Sequence, residues 1–133
     1  MSGSRLLLDT NAVVDLLRGA SGYEVPVARA SWVGISVISR LEFLAFSGLG
    51  DEDRSLFERF CERVETVWLA QDSMVIIDET VRIRRDSGLR LPDAIIAATA
   101  QASGAVLVTA DKAFRKVEGL EVLQPVRGQP EPG

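Results

Sequence analysis

The sequence predicts an α/β fold, a three-layer α/β/α sandwich with a mainly parallel central sheet. One observation carries this. Short apolar runs (Leu6-Leu7-Leu8, Val33 to Val37, Ala105 to Thr109) alternate with longer stretches of helical period. Such alternation indicates strands joined by helical crossovers, hence a sheet covered on both faces. The length of 133 residues suits one domain. A chain of that size buries roughly two-thirds of its unfolded surface and needs no disulfide or metal merely to fold.

The first strand is Arg5 to Asp9. A helix from about Asn11 to Arg18 follows, with Thr10 or Asn11 as N-cap and Gly19 as stop. Ser21 to Trp32 carries no strong period, although Pro26 can open a short helix through Ala30. Val33 to Val37 is the second strand, and Ser39 to Phe46 the next helix. Asp51-Glu52-Asp53 puts three acids in a first helical turn, where they complement the dipole. Leu56, Phe57, Phe60, Cys61 and Val64 follow as one apolar stripe. Thr66 to Leu69 is a short strand. Asp72 can cap a helix that runs to Ser87, with Ile76, Ile77, Thr80 and Ile83 inward and Gly88 as stop. Leu91-Pro92-Asp93 opens a helix that is apolar almost all round through Ala102, and therefore central. Ala105 to Thr109 is a strand, Asp111 to Val117 a short helix, and Glu121 to Leu123 a last weak strand. Three of the five prolines fall in the last nine residues. The expected division is a domain over 1–124 and a disordered tail over 125–133. There is no internal repeat.

Composition narrows the chemistry. Apolar residues are 47% and charged residues 26%, as in an ordinary soluble protein. No apolar run approaches the ~20 residues that span a bilayer. Met1-Ser2-Gly3-Ser4 does not begin a signal peptide, because the run after it is short and ends in Asp9. The single cysteine, Cys61, rules out an internal disulfide and suits a reducing cytoplasm. With no histidine, Ser-His-Asp catalysis, Cys-His catalysis and His-ligated zinc are excluded. No glycine-rich phosphate loop or dinucleotide fingerprint is present. The net charge of −4 and pI near 4.9 argue at first against a nucleic-acid partner.

Four acids stand at element edges: Asp9, Glu42, Asp93 and Asp111. In a parallel sheet the strand carboxyl ends share one edge, so Asp9, Glu42 and Asp111 converge by topology. Asp93 joins them if its helix starts on that edge. Each has a plain structural reading. Ser39-Arg40-Leu41-Glu42 is a capping box, and Asp93 and Asp111 are ordinary acids at helix starts. Asp9 resists such a reading, since a carboxylate flush against three buried leucines is costly unless paired or metal-bound. Together the four form a hard-oxygen site suited to Mg²⁺ or Mn²⁺, which activates water for attack at phosphorus. Setting these acids aside leaves the rest of the chain neutral. Basic residues flank them in sequence; Arg85, Arg90 and Lys112 are weak candidates for phosphate contact, and for each alone a solvated helix face is the commoner explanation.

The four segments that carry these acids resemble a known family. They are Leu8-Asp9-Thr10-Asn11, Ile38 to Leu44 around Glu42, Leu91-Pro92-Asp93-Ala94-Ile95-Ile96 running on to Ala100, and Leu107-Val108-Thr109-Ala110-Asp111-Lys112-Ala113-Phe114. From about Leu6 to Leu123 the chain is similar to PIN domains, specifically the VapC-type toxins of toxin–antitoxin pairs. The resemblance implies a Mg²⁺-dependent endoribonuclease, with Mn²⁺ able to substitute, that cleaves RNA by metal-activated water. It implies Asp9, Glu42, Asp93 and Asp111 as metal-binding and catalytic residues. Asn11 and Thr109 become supporting polar groups, the first positioning Asp9 or water. A cognate VapB-type antitoxin and a homodimer are implied as well. Ala110 departs from the larger or polar residue of many relatives, which bears on substrate detail. The alternative is a catalytically inactive PIN-like binding module, which loss of any of the four acids would have favoured. A phosphotransferase with Asp9 as nucleophile ranks lower, because the haloacid-dehalogenase pattern wants a second Asp where this chain has Asn11.

Overall fold

Strand β1 (Arg5–Leu8) is the middle of a five-stranded sheet. The structure, a computed structural model, describes residues 4–125. The other strands are β2 (Trp32–Ser36), β3 (Glu65–Val67), β4 (Val106–Val108) and β5 (Val122–Leu123). Their order is β3-β2-β1-β4-β5, and every pairing is parallel. Strand order reverses between β1 and β4, so a crevice opens beyond their carboxyl ends. Leu7 lies opposite Gly34 on one side and Leu107 on the other.

Side chains of β1 alternate between two cores, as the pleat requires. Leu7 faces the layer made by α5 (Met74–Ser87) and α6 (Leu91–Ala102), where it packs with Ile83, Ile96 and Leu107. Leu6 and Leu8 face the opposite layer, made by α1 (Thr10–Leu17), α2 (Glu24–Arg29) and α4 (Asp51–Arg63). Here Val13, Tyr23, Ile35 and Phe57 are buried. Helix α3 (Val37–Ala45) sends Ile38 to the first core and Phe43 to the second. Phe57 stacks on Phe43 with ring centroids 4.0 Å apart. Truncating Phe57 to Ala would cost about 3–5 kcal/mol. Buried Ala94, Ala97, Ala98 and Ala100 keep α6 thin, so α5 packs closely along it. Gly88 ends α5 with φ +72°, the left-handed cap that glycine adopts without strain.

The amino edge is closed by an aromatic clasp. A Cβ on Gly34 would stand 2.2 Å from Trp32 Cη2, so the indole lies directly over the glycine. Trp32 Nε1 donates to the Glu65 carboxylate. The Arg5 guanidinium sits 4.3 Å from the ring centroid, a cation–π contact.

Several sequence expectations need correction. Helix α1 is capped by Asp9, one residue before Thr10 or Asn11. Helix α3 starts at Val37, capped by Ser36, whose Oγ accepts from Ile38 N at 3.1 Å. Ser39 and Glu42 therefore form no capping box, and Glu42 lies in the second helical turn. Ser73, not Asp72, precedes α5, and its Oγ accepts from Ala70 N in the turn before the helix. Ile77 is exposed, as is Leu56 of the expected α4 stripe. Strand β3 stops at Val67, which leaves Trp68 and Leu69 on the surface. Lys112–Lys116 is a 3-10 helix. Pro125 is buried against the domain, so the expected tail cannot begin there; residues 126–133 of that expectation lie outside the described residues. Among the described residues, no helix is long and apolar enough to cross a membrane.

Candidate active site

Asp9 still belongs to the sheet through its backbone, its N–H donating to Val108 O at 3.2 Å. Its side chain then turns into the start of α1. Oδ1 accepts from Ala12 N at 2.7 Å, and Oδ2 accepts from Thr109 Oγ1. The carboxylate is only 4% exposed. Burial pushes its pKa up from 3.8 to about 6, against the lowering effect of the Thr109 and Ala12 hydrogen bonds. The negative charges of Asp111 and Asp93 raise it further.

Thr109 is fixed by its own strand extension, its N–H donating to Leu123 O at 3.1 Å. Its hydroxyl oxygen accepts from Asp111 N at 3.0 Å. Asp111 in turn caps the 3-10 helix, Oδ1 accepting from Ala113 N at 2.9 Å. One hydroxyl thus ties the ends of β1 and β4 together. Asp93 stands in the first turn of α6, its side chain 18% exposed. Burial raises its pKa, opposed by Arg90, with Glu42 and Asp111 adding repulsion. Arg90 Nε lies 3.5 Å from Asp93 Oδ2. Glu42 is exposed, and its Oε1 accepts from Thr10 Oγ1 at 2.6 Å. Ser39 Oγ lies 3.0 Å from the same hydroxyl.

The four acids that the sequence singles out therefore form one electrostatic neighbourhood, and α6 does start on the shared edge. As the side chains stand, no three His, Cys, Asp or Glu among the described residues enclose a cation position. Their chemistry fits a hard divalent ion. All the donors are carboxylates, the innermost is desolvated, and repulsion among them is relieved by positive charge. Thr109 supports Asp9 directly. Asn11 is exposed on α1 and is not among the hydrogen-bond partners of the Asp9 carboxylate, which Ala12 N–H and Thr109 hold instead. Arg85 is exposed on α5 and lines neither cavity beside the acids, and Lys112 is exposed at the start of the 3-10 helix. Sequence reasoning used Thr10 only as a cap and overlooked its grip on Glu42. The signal available was a hydroxyl adjacent to the strand-end acid.

Two depressions open from this edge. One, of about 340 Å³, is lined by Thr10, Asn11, Glu42, Phe43 and Phe46 among others. The other, of about 390 Å³, is lined by Asn11, Val14, Asp15, Arg18, Ala110 and Asp111.

Residues 6–120 match the sequence model of the PIN domain. The chain belongs to the PIN-domain family. The all-parallel sheet with helices on both faces is the PIN fold. PIN domains are in general nucleases and depend on divalent metal. Comparison with curated protein sequences gives no match. Among solved structures, this PIN domain is similar to a toxin–antitoxin complex from Klebsiella pneumoniae, at 28% identity and a TM-score of 0.70 over 86% of this chain and 94% of that one. It shares its fold with VapBC2 from Rickettsia felis bound to a promoter DNA fragment (21% identity, TM-score 0.72, 90% and 97% covered). The same holds for VapBC-1 from nontypeable Haemophilus influenzae (23%, 0.72, 90% and 96%).

Proposed function

We propose that this PIN domain is a metal-dependent endoribonuclease of the VapC toxin type, restrained by a VapB-type antitoxin. The observation that carries the reading is the buried Asp9, held by Thr109 and repelled by Asp93 and Asp111 at the switch point of the sheet. Asp9, Glu42, Asp93 and Asp111 would hold Mg²⁺, or Mn²⁺ in its place. Bound there, the ion supplies an activated water for in-line attack on an RNA phosphodiester and neutralises charge growing on the phosphate.

The chain's own residues prepare this site. Thr109 and the Ala12 N–H orient Asp9, and Thr10 holds Glu42 toward α1. Arg90 offsets part of the charge on Asp93 while the site is metal-free. Burial raises the Asp9 pKa to about 6, so a proton would compete with a cation for this carboxylate more strongly than at an exposed acid. The antitoxin partner is supported by the similarity to the toxin–antitoxin complex from Klebsiella pneumoniae. A homodimer is supported by the exposed stripe Met74, Ile77 and Val81 on α5. Action in the cytoplasm accords with its RNA substrate and a lone free cysteine, Cys61.

The test uses protein freed of antitoxin. RNAs are incubated with Mg²⁺ or Mn²⁺, with and without chelator, alongside Asp9→Asn and Asp93→Asn. Metal-dependent cleavage lost in both variants is expected. Cleavage that persists in chelator and in both variants sinks the mechanism. Metal binding without cleavage of any RNA would favour the inactive binding module instead.

A further inference from the structure

We infer that Arg18 is a positioning residue for the RNA strand, binding a phosphate that flanks the one cleaved; this rests on the ribonuclease reading above. Helix α1 leaves the site from Asp9. Asn11, Asp15 and Arg18 follow at i, i+4 and i+7, so they share one face of that helix. Both depressions beside the acids are lined by Asn11, Val14 and Arg18. The first also carries Glu42 and the second Asp111. Arg18 thus stands between two hollows that each reach a site acid.

Its guanidinium is available. Among the described residues it has no hydrogen-bond or ion-pair partner. Asp15, the nearest acid on its own helix face, accepts instead from Tyr23 OH at 2.7 Å. Several other arginines are engaged: Arg90 with Asp93, Arg82 with Glu79 and Asp86, Arg84 with Leu89 O, Arg40 with Thr66. Among the described residues Arg29, Arg54, Arg59, Arg63 and Arg85 are also without a hydrogen-bond or ion-pair partner, but none of them lines either hollow. An arginine left free in a cleft rimmed by acids is placed to take an anion, and its planar fork matches a phosphate.

Spacing decides its role. Arg18, the C-cap of α1, lies seven positions beyond Asn11, an axial distance of about 10 Å. That offset sets the Arg18 backbone about two helical turns along the cleft from the start of α1, toward a phosphate beside the one at the acids. A neighbouring nucleotide falls within reach. The four acids repel an RNA backbone, so one cation at a set distance along the cleft gives the strand its direction. The residue holds the strand and does not touch the reacting atoms.

The test is steady-state cleavage of a single-stranded RNA substrate by the full chain. Arg18→Ala should raise KM about 10-fold with kcat within twofold of wild type. The slope of log affinity against log salt should become shallower by roughly one phosphate's worth. Arg18→Lys should restore the salt slope but only part of the affinity, since an ammonium cannot form the fork. Shortening the substrate until the flanking phosphate is gone should raise KM for wild type and leave Arg18→Ala unchanged. Unaltered KM and salt slope in Arg18→Ala, with wild type active, overturn the inference alone. A wild-type chain that neither binds nor cleaves RNA overturns the ribonuclease reading and this inference with it. Full RNA affinity in Arg18→Ala with weakened antitoxin binding would reassign the arginine to the protein partner.

Discussion

Thr109 Oγ1 donates to Asp9 Oδ2 across 100 positions of sequence. The same oxygen accepts from Asp111 N. A single hydroxyl thereby sets the relation between the ends of the two central strands. Thr109→Val keeps the shape and removes both bonds. It leaves a buried carboxylate oxygen and a backbone N–H unpaired. Loss of about 1–3 kcal/mol is expected in urea unfolding. Thr109→Ser should recover most of it, and metal affinity should follow the same order.

Asp9→Asn should separate stability from activity. The amide can still cap α1 through its oxygen and can donate to Thr109 Oγ1, while the buried charge is gone. Metal-free Asp9→Asn is expected to be more stable than wild type at pH 7.5, by on the order of 2 kcal/mol. Cleavage should fall at least 100-fold. Thermal melts and cleavage assays on the same preparation check both.

The pH dependence follows from the sign of the Asp9 shift. The carboxyl binds its proton more tightly in the fold, at about 6, than in the unfolded chain, at 3.8. Stability of the metal-free protein should therefore rise as pH falls from 7 toward 4, and the Asp9 contribution levels off below 3.8. Asp93 is shifted in the same direction and adds to the effect. Glu79, held down by Arg82, acts oppositely and only below its ordinary value of 4.5, so the two effects overlap below 4.5 and the range between 7 and 5 reports the acids of the site. Melting temperature measured against pH should show a slope between 7 and 5 that Asp9→Asn reduces. Saturating Mn²⁺ should also flatten it, because bound metal replaces the proton.

Gly34→Ala tests the clasp at the far edge. Its methyl group would occupy the space of the Trp32 ring and push the indole off Glu65 and Arg5. A loss of about 1–3 kcal/mol is expected. The acids lie on the opposite edge, so kcat on RNA should be unchanged at temperatures where the variant is folded.

The sandwich was legible because leucine and valine runs alternate cleanly with helical periods, and Asp9 and Asp111 were legible because each abuts such a run. Helix starts were harder to read. Asp9, Thr10 and Asn11 are all competent caps, and only the tertiary bond to Thr109 selects Asp9. At Ser36-Val37 the strand passes straight into helix, and the β-branched Val37 and Ile38 read as more strand. The capping box at Ser39 was a local pattern that an earlier cap had already made unnecessary. Ile77 and Leu56 fit the apolar period of their helices at its margin, yet both lie on the surface. Arg18 carried a signal, its i+7 spacing from Asn11, but the hollows that give the spacing meaning exist only once α3 and the β4 end have packed beside α1.

The order of the strands has a consequence for the living cell. Strand β1 is made first, yet its partner β4 begins at Val106, and Thr109 and Asp111 come later still. A ribosome must therefore translate nearly the whole domain before the central pairing can close and the acids can meet. Partial products from stalled or aborted translation would carry Asp9, Glu42 and even Asp93 without the Thr109 hydroxyl and the β4 end that bring the cluster together. The acidic cluster is assembled only once Thr109 and Asp111 have been made and β4 has paired with β1.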